Sequence, residues 1–462
     1  MIAVAIAAVV GLLAGSQAHK GMPWPDLTES EVGTTLPADF LYRAGEALGT
    51  LESADTLTNT RWKFEETAVA LYEAAAYGPD VTATDARLRL AIIYGQRGYD
   101  KQASEMLATI PLQAVEMTRV AALLDWRYGA GTRPPELGDA MADMAKLDRW
   151  LLRRVRLRLA EKQQGAKAVE KLKSEDERAQ LIFLVGLLGE LAAWGLVLAI
   201  GATVAIWWFL RWFFTRRPTL PVRLAPLVRP WRPLDALEVW ALLLFLVVVV
   251  RIIHGLVGMG LGPQPLVYAV FDTAGYLLAV GSALAFVLCK LARQSLGPLY
   301  LLGLKGSALS GVARGVVAYG ILGAGILASV ALANYLFGTP AYLGLAQTAD
   351  SRLRFGLDHP GAAILYAVMA VMVAPVVEEA LFRGFIYAGL RRQFNLFWSV
   401  VASAGMFAAT HVGLNLVSLV GIFLLAVALA YTYERTRNLW VSVGMHITHN
   451  ALVFALLALA AI

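Results

Sequence analysis

The second half of the chain is dominated by apolar stretches that are long enough to cross a lipid bilayer. Between residues 181 and 461 eight such stretches follow one another, and seven of them hold 18 residues or more. A helix needs about 20 apolar residues to cross the hydrocarbon core, and a bilayer admits helices but no isolated strands. The predicted spans are 181–210, 236–253, 266–289, 315–337, 361–378, 397–411, 414–433 and 439–461.

The composition agrees with a membrane protein and excludes several other classes. Hydrophobic residues make up 58% of the 462 residues and charged residues 16%, against roughly 45–50% and about 25% in soluble domains. These values exclude a disordered chain, a single soluble domain and a coiled coil. The formal net charge of +6 is typical of arginines that orient a membrane protein, so no nucleic-acid partner is expected. Cys289 is the one cysteine, which excludes a disulfide within the chain and a multi-cysteine zinc site.

The chain is expected to begin with a targeting segment. Residues 2–15 form an apolar run that is too short for a typical span but suits the core of a signal peptide. The small residues at positions 16–18 suit a cleavage site, whereas no Lys or Arg precedes the run. Residues 1–18 are therefore predicted to be either a signal peptide or an uncleaved N-terminal anchor.

Residues 19–178 are predicted to form a soluble helical domain. Apolar residues recur at helical spacing over 62–77 and 86–110. The segment 86–107 resembles a tetratricopeptide repeat (TPR). Its Ala103 lies 35 residues after Ala68, which belongs to the preceding helical segment, close to one repeat of about 34 residues. A generic α-hairpin explains the same pattern; a true repeat would bind a protein partner. The matching small and aromatic residues are Ala68, Tyr72, Ala75, Ala91, Tyr94, Gly98 and Ala103.

Two further segments complete the predicted domain organisation. The highly charged stretch 153–178 is expected to be a solvated connecting helix. Residues 179–235 are expected to hold the first span and a basic linker, and residues 236–462 an intramembrane domain. The predicted fold class is therefore all-α: a polytopic helical membrane protein of about eight spans with an N-terminal soluble helical domain.

Basic residues are distributed unevenly over the loops between the predicted spans. The loops 211–234 and 290–314 and the segments after the fifth and seventh spans together carry fourteen Lys and Arg, whereas 254–265 and 338–360 carry two. Short loops rich in Lys and Arg stay in the cytoplasm. We therefore expect an integral protein of a bacterial inner membrane, with residues 19–178 outside the cytoplasm.

Ionisable side chains are concentrated in the last four predicted spans. Such residues are costly in a membrane and usually mark function. Structural contacts between helices explain a single histidine well, but they explain poorly a whole polar group at turn-compatible spacings. The group consists of Glu378, Glu379, Arg383, His411, His446, His449 and Asn450.

Helical geometry separates the roles of these residues. Glu379 and Arg383 are four residues apart, so they can pair on one helix face and neutralise each other. Glu378 is rotated about 100° from its neighbour and has no local cationic partner. Such a carboxylate suits a general base in a low-dielectric site. His446 and Asn450, also four apart, can present an imidazole and an amide to the same site.

Three short motifs resemble those of a known family. EEALFR (378–383), FAATH (407–411) and HITHN (446–450) resemble the EExxxR, FxxxH and HxxxN motifs of the CPBP family, the CAAX-protease and bacteriocin-processing intramembrane proteins. The resemblance covers roughly residues 230–462, and the motifs occur in order, each on a predicted span. It implies four catalytic residues, Glu378, His411, His446 and Asn450.

The resemblance also implies how the work is divided. Glu378 and His411 would activate the attacking water, while His446 and Asn450 would stabilise the oxyanion and the Glu379–Arg383 pair would support the site. Peptide hydrolysis needs such a base and such donors. The predicted function is hydrolysis of peptide bonds in membrane-associated proteins or peptides, near the surface of the lipid bilayer.

Other interpretations stay open at this point. Glu378, His411 and His446 are suitable zinc ligands by type, although the sequence has no HExxH motif; no cofactor is firmly predicted, and zinc remains an alternative. A non-proteolytic scaffold or immunity-type protein of the same fold would not need an unpaired Glu378. A transporter would show charges on several spans with internal symmetry, which the scattered charges of the earlier spans do not form.

The predicted spans contain one geometrical conflict. If the fifth span ended at residue 378, Glu378 would lie near the cytoplasmic side, and His411 would lie roughly 20 Å away at 1.5 Å per residue. Either the sixth helix starts deeper in the membrane, or residues 380–396 re-enter it.

Overall fold

A computed structural model gives the fold of most of the chain. It describes residues 81–110, 115–128, 149–163, 166–215, 231–258, 265–292, 297–336, 359–411 and 416–461, together with short helical pieces between residues 38 and 76 and between residues 139 and 144. The expected signal peptide or anchor, residues 1–18, lies outside the described residues.

The regular structure of the described residues is helical, and no strand occurs among them. The N-terminal part contains α1 (Val81–Gln96), α2 (Asp100–Leu107), α3 (Val115–Tyr128) and α4 (Arg149–Gln163). The apolar part contains α5 (Ala166–Thr215), α6 (Pro233–Gly258), α7 (Pro265–Tyr276, continued to Leu291), the short α8 (Pro298–Leu302), α9 (Ala308–Leu336), α10 (Pro360–Ala367, continued to Leu390), α11 (Leu396–Ala409), α12 (Leu416–Thr436) and α13 (Leu439–Ala461).

The chain divides into two compact units. One comprises residues 1–26, 190–348 and 352–455, and the other comprises residues 27–189, 349–351 and 456–462. The main division falls inside α5, because the helix that starts in the charged N-terminal part continues into the apolar part. The proposed domain boundaries at residues 178 and 235 remain predictions.

The N-terminal unit is a helical domain with its own core. α1 and α2 form a hairpin whose turn contains Gly98 at φ +80, a left-handed conformation that suits glycine. Ala68, Tyr72, Ala91 and Ala103, which suggested the repeat, are all fully buried. This packing is compatible with a tetratricopeptide repeat and equally with a generic α-hairpin, so the repeat stays a prediction.

α5 is a single helix of 50 residues that carries the first predicted span. The expected connecting helix at 153–178 is therefore divided: its first part belongs to α4, and its second part is the start of α5. Large apolar side chains on the later turns of α5 are exposed on the surface of the protein, for example Leu196 at 63% and Phe214 at 77%. A continuous apolar surface of this kind is costly in water, and lipid is the environment that it fits.

Each of the eight predicted spans overlaps one helix of the membrane part. Among the described residues five helices are long and apolar enough to cross a membrane, namely α5, α6, α7, α10 and α12, and two shorter apolar helices cover Ala308–Gly323 and Leu396–Ala409. The predicted class, an all-α polytopic membrane protein with a helical N-terminal part, is confirmed.

The predicted end of the fifth span at residue 378 is wrong. α10 continues to Leu390, because the apolar run after Arg383 stays helical and buried rather than forming a separate re-entrant segment. Glu378 therefore lies about 18 Å before the end of α10. His411 lies about 22 Å beyond Leu396, where α11 begins. Glu378 and His411 therefore lie at similar distances from the loop that joins α10 and α11. This removes the predicted conflict between their positions.

Close helix contacts fix the position of α13, the helix that carries the last motif. A Cβ atom on Gly444 would lie 2.5 Å from the Cα atom of Val312 in α9, and one on Gly315 would lie 2.5 Å from the backbone nitrogen of Met445. Small residues of this kind let two membrane helices approach backbone to backbone. The neighbouring His446 is thereby held at a defined place in the bundle.

Candidate active site

A buried ion pair forms the base of the site. Arg383 donates from Nη1 to Oε1 of Glu379 at 2.7 Å, and its Nη2 donates to the backbone oxygen of Ala426 at 3.3 Å. The guanidinium also lies 4.6 Å from the centre of the Phe407 ring. Glu379 and Arg383 are 0% and 1% exposed. The two charges compensate each other, as their spacing of four residues on one helix allows.

His446 is attached to this pair from the neighbouring helix α13. Its Nδ1 atom lies 3.0 Å from Oε1 of Glu379, the same oxygen that accepts from Arg383. A carboxylate only accepts, so Nδ1 carries the hydrogen and Nε2 is the acceptor in the neutral ring. Glu379 thus fixes both the orientation and the tautomer of the imidazole. The other oxygen of Glu379, Oε2, is buried and has no hydrogen-bond partner among the described residues.

Glu378 lies on the other side of His446 and has a separate environment. Its Oε2 atom is 3.9 Å from Nε2 of His446, and its Oε1 atom accepts a hydrogen bond of 2.9 Å from the hydroxyl of Tyr276 in α7. Within the described part of the chain these are its polar neighbours. The side chain is 13% exposed, so it is less enclosed than Glu379 and is the carboxylate that a substrate can reach.

His411 is linked to the other site residues by its contact with the Phe407 ring rather than by a direct hydrogen bond to Glu378. Its ring centre lies 4.9 Å from that of Phe407, which also lies 6.0 Å from the ring of His446. Nδ1 of His411 is 3.0 Å from the backbone oxygen of Phe407. This carbonyl accepts the Nδ1 hydrogen, which leaves Nε2 as the acceptor in the neutral ring. No hydrogen bond between His411 and Glu378 occurs in the described residues.

Asn450 and His449 lie on α13 and contact α10 and α9, respectively. The amide of Asn450 donates to the backbone oxygen of Ala370 at 2.7 Å, inside the π-helical stretch Val368–Val373. Side chains from neighbouring helices commonly satisfy such irregular backbone in membranes. His449 lies with Nδ1 3.1 Å from the hydroxyl of Tyr319 in α9, which gives this histidine a packing partner away from Glu378.

The arrangement does not fit a metal centre. Among the described residues no group of three His, Cys, Asp or Glu side chains is placed to hold a metal ion. Nδ1 of His446 is committed to a carboxylate that also holds an arginine.

Sequence reasoning did not assign a role to two aromatic residues of the site, Tyr276 and Phe407. Tyr276, which contacts Glu378, lies outside all three motifs, and no local spacing links it to α10. Phe407 is part of FAATH, but its role as the ring between Arg383 and both histidines depends on helix packing. The π-helical stretch Leu277–Gly281 that follows Tyr276 is a feature that often accompanies functional sites, although sequence reasoning does not detect it.

Comparison with known proteins places this region among membrane proteases. The family model described as Type II CAAX prenyl endopeptidase Rce1-like matches residues 360–452. The Bacillus subtilis (strain 168) protein YdiL, named as a candidate membrane peptidase, is 29% identical over 97 residues. That match spans 21% of this chain and 39% of the relative. No solved structure matches the chain significantly.

The matched segment contains all the residues of the three motifs and the helices that hold them. It begins where α10 begins and ends within α13, so it encloses the Glu379–Arg383–His446 cluster. Tyr276 and the N-terminal helical unit lie outside it. The family resemblance that the motifs indicated is confirmed as a similarity: residues 360–452 match the model of the Rce1-like CAAX prenyl endopeptidases.

Proposed function

We propose that this protein is a CPBP-type intramembrane endopeptidase that hydrolyses peptide bonds with a water molecule activated by Glu378. The observation that carries the proposal is the separation of 3.9 Å between Oε2 of Glu378 and Nε2 of His446. The two atoms are too far apart to bond to each other, yet a single water can lie at about 2.8 Å from both. The Glu379–Arg383 pair leaves Glu378 as the carboxylate without an arginine partner.

In this mechanism Glu378 acts first as a base and then as an acid. It takes a proton from the water while the water oxygen bonds to the peptide carbonyl carbon, whose oxygen becomes an oxyanion. The carbon–nitrogen bond then breaks, and the proton held by Glu378 passes to the departing amine nitrogen. General acid–base catalysis of this kind contributes about 10²- to 10⁴-fold to rate.

Two side chains of α13 are suited to stabilise the oxyanion. Since Nδ1 of His446 donates to Glu379, Nε2 can donate to an oxyanion only when the ring is an imidazolium. The ring takes up that proton from solvent before the reaction and keeps it throughout, and the carboxylate of Glu379 compensates the charge. Asn450 uses one amide hydrogen for Ala370 and has a second one for the oxyanion. His411 supplies Nε2 as a further acceptor, and we assign it to the activation of water with Glu378.

The proposed substrate is a membrane-associated protein or peptide that presents an extended segment to the site from the bilayer. Helices in lipid have all their backbone groups satisfied, so a segment must be unwound before its carbonyl reaches Glu378. We further propose that residues 19–178 lie outside the cytoplasm of a bacterial inner membrane and bind a protein partner or substrate there.

The test uses the full chain in lipid vesicles with a membrane-tethered, unstructured fluorogenic peptide. Glu378→Gln should lower cleavage by about 10²- to 10⁴-fold with an unchanged melting temperature, because the amide has the same shape and still accepts from Tyr276. His411→Ala should have nearly the same effect on cleavage. The matched control is Glu190→Gln, a carboxylate in α5 that bonds to Trp194 and should leave cleavage unchanged.

Two results would contradict the proposal. Cleavage by Glu378→Gln at the wild-type rate would remove Glu378 as the base. Loss of cleavage on chelation, with recovery on adding zinc, would replace the mechanism by a metal-dependent one. Natural substrates should accumulate in membranes that carry Glu378→Ala, as judged by proteomic comparison with the wild type; a non-proteolytic scaffold would leave the two membrane proteomes equal.

A further inference from the structure

Tyr276 contributes a contact to the site that no motif contains. It lies in α7, outside the segment matched by the family model, and donates its hydroxyl hydrogen to Oε1 of Glu378 at 2.9 Å. The two residues are 102 positions apart in sequence, so the contact exists only through helix packing. The mechanism described above does not yet use it.

The contact makes the two oxygens of Glu378 inequivalent. Oε1 is held by Tyr276, whereas Oε2 points toward Nε2 of His446. A terminal carboxylate torsion is broad and roughly two-fold, so an unrestrained side chain would exchange or tilt its oxygens. With Oε1 anchored, Oε2 is presented continuously to the place where a water can lie.

The hydroxyl also satisfies a carboxylate oxygen that is largely removed from water. No arginine contacts Glu378 among the described residues. An acceptor in such a place costs free energy when it has no donor, and Tyr276 supplies one.

We propose that Tyr276 is the positioning residue of the catalytic base: its hydroxyl orients Glu378 for the reaction with water. The proposal rests on the proposed function for its catalytic consequence, but the hydrogen bond itself can be tested without a substrate. Tyr276 acts through Glu378 and not on the substrate.

Tyr366 provides a matched control within the same bundle. Its hydroxyl donates to Oδ2 of Asp272 at 2.7 Å, so it is also a tyrosine of a membrane helix bonded to a carboxylate, but that carboxylate is outside the reaction. Asp272 and Tyr276 lie one turn apart on α7. Tyr276→Phe and Tyr366→Phe therefore remove the same hydroxyl from two comparable pairs, of which only one includes the base.

The first measurement is cleavage of the membrane-tethered peptide by the full chain. Tyr276→Phe should lower kcat by about 10- to 100-fold with KM and melting temperature close to wild type, whereas Tyr366→Phe should keep the wild-type kcat. In a Glu378→Asp background, where the shorter side chain no longer reaches Tyr276, the same change should lower kcat by less than about threefold. Equal effects in both backgrounds would overturn the proposal.

The second measurement needs no substrate. A hydrophobic carbodiimide reacts with carboxyl groups inside membranes, more slowly where a carboxyl oxygen is held in a hydrogen bond, and the labelled residue is located by mass spectrometry. At one fixed pH Glu378 should be labelled several-fold faster in Tyr276→Phe than in the wild type or in Tyr366→Phe. An unchanged labelling rate refutes the role of Tyr276 whether or not the protein is a protease. Faster labelling together with an active Glu378→Gln would retain the hydrogen bond and refute the proposed function instead.

Discussion

His446 donates from Nδ1 to Oε1 of Glu379 across 3.0 Å, and this joins the last motif to the first. The same oxygen accepts from Arg383 at 2.7 Å. Adjacent glutamates of one helix thus have different environments, since Glu379 is enclosed by two donors whereas Glu378 is partly exposed. In the proposed mechanism this difference in environment makes Glu379 the residue that holds His446 and Arg383 in place, and Glu378 the general base.

Replacement of Glu379 should affect stability as well as activity. Glu379→Ala leaves Arg383 charged and buried without its partner, which costs about 3–5 kcal/mol in comparable pairs. We expect a lower melting temperature and lost cleavage. The double variant Glu379→Ala with Arg383→Met should recover much of the stability, because no uncompensated charge remains, but not the activity, because His446 still lacks its acceptor. A fully stable but inactive Glu379→Ala would indicate that the roles of the two glutamates are reversed.

Asn450 should be needed for the rate rather than for substrate binding. Loss of one oxyanion donor typically costs about 10²- to 10³-fold in kcat, so Asn450→Ala should lower kcat by that amount with KM nearly unchanged. Thr448 lies on the same helix, and among the described residues its hydroxyl donates to the backbone oxygen of Gly444, one turn earlier. Thr448→Val is therefore the matched control and should keep wild-type kinetics. Equal kinetics for the two variants would exclude Asn450 from the oxyanion site.

The N-terminal helical unit should lose stability as the pH rises. Burial raises the pKa of the Glu46 carboxyl to about 7 from 4.5, although the nearby Arg154 opposes this. Folding therefore takes up a proton between these values, so the contribution to the free energy of unfolding is complete below pH 4.5 and is lost as the pH rises through about 7. The loss should be about 2–3 kcal/mol.

Hydrogen exchange in α4, which carries Arg154, measures this effect in the full chain. Protection of α4 should decrease between pH 5 and pH 8, after correction for the intrinsic rate, by roughly the amount that the linkage relation gives. Glu46→Gln should flatten the dependence. An identical pH dependence in wild type and Glu46→Gln would show that another group titrates.

The predicted membrane orientation can be measured at Gln102. Gln102 lies in α2, where its side chain is exposed. In a Cys289→Ser background, a membrane-impermeant thiol reagent should label Gln102→Cys in intact cells. Labelling only after cell lysis would place residues 19–178 in the cytoplasm and reverse the orientation of the site.

The N-terminal unit should influence substrate choice but not the chemistry. All three motifs lie after residue 377, so a chain that begins near residue 179 should still cleave the membrane-tethered peptide at a rate close to wild type. Its set of natural substrates, measured by membrane proteomics, should change. Loss of cleavage by a truncated protein that is still folded would show that the N-terminal unit takes part in catalysis.

The motif residues could be identified from the sequence because their relations are local. A spacing of four residues places Glu379 beside Arg383 and His446 on the face of Asn450, since the helix period is fixed by backbone geometry. The apolar runs likewise determined the helical membrane class, because a bilayer leaves the backbone few alternatives. The predicted end of the fifth span at residue 378 is wrong, because Glu379 and Arg383 pair with each other and lie inside α10, which continues to Leu390.

The sequence by itself determined that this is a helical membrane protein with a polar group of the protease type in its last spans. Only the tertiary structure decided that His446 bonds to Glu379 and that Tyr276 bonds to Glu378. It also decided that the Phe407 ring lies between Arg383 and the two histidines. These contacts join residues on different helices. They depend on how closely α7, α10 and α13 approach, and no period within a single helix encodes that distance.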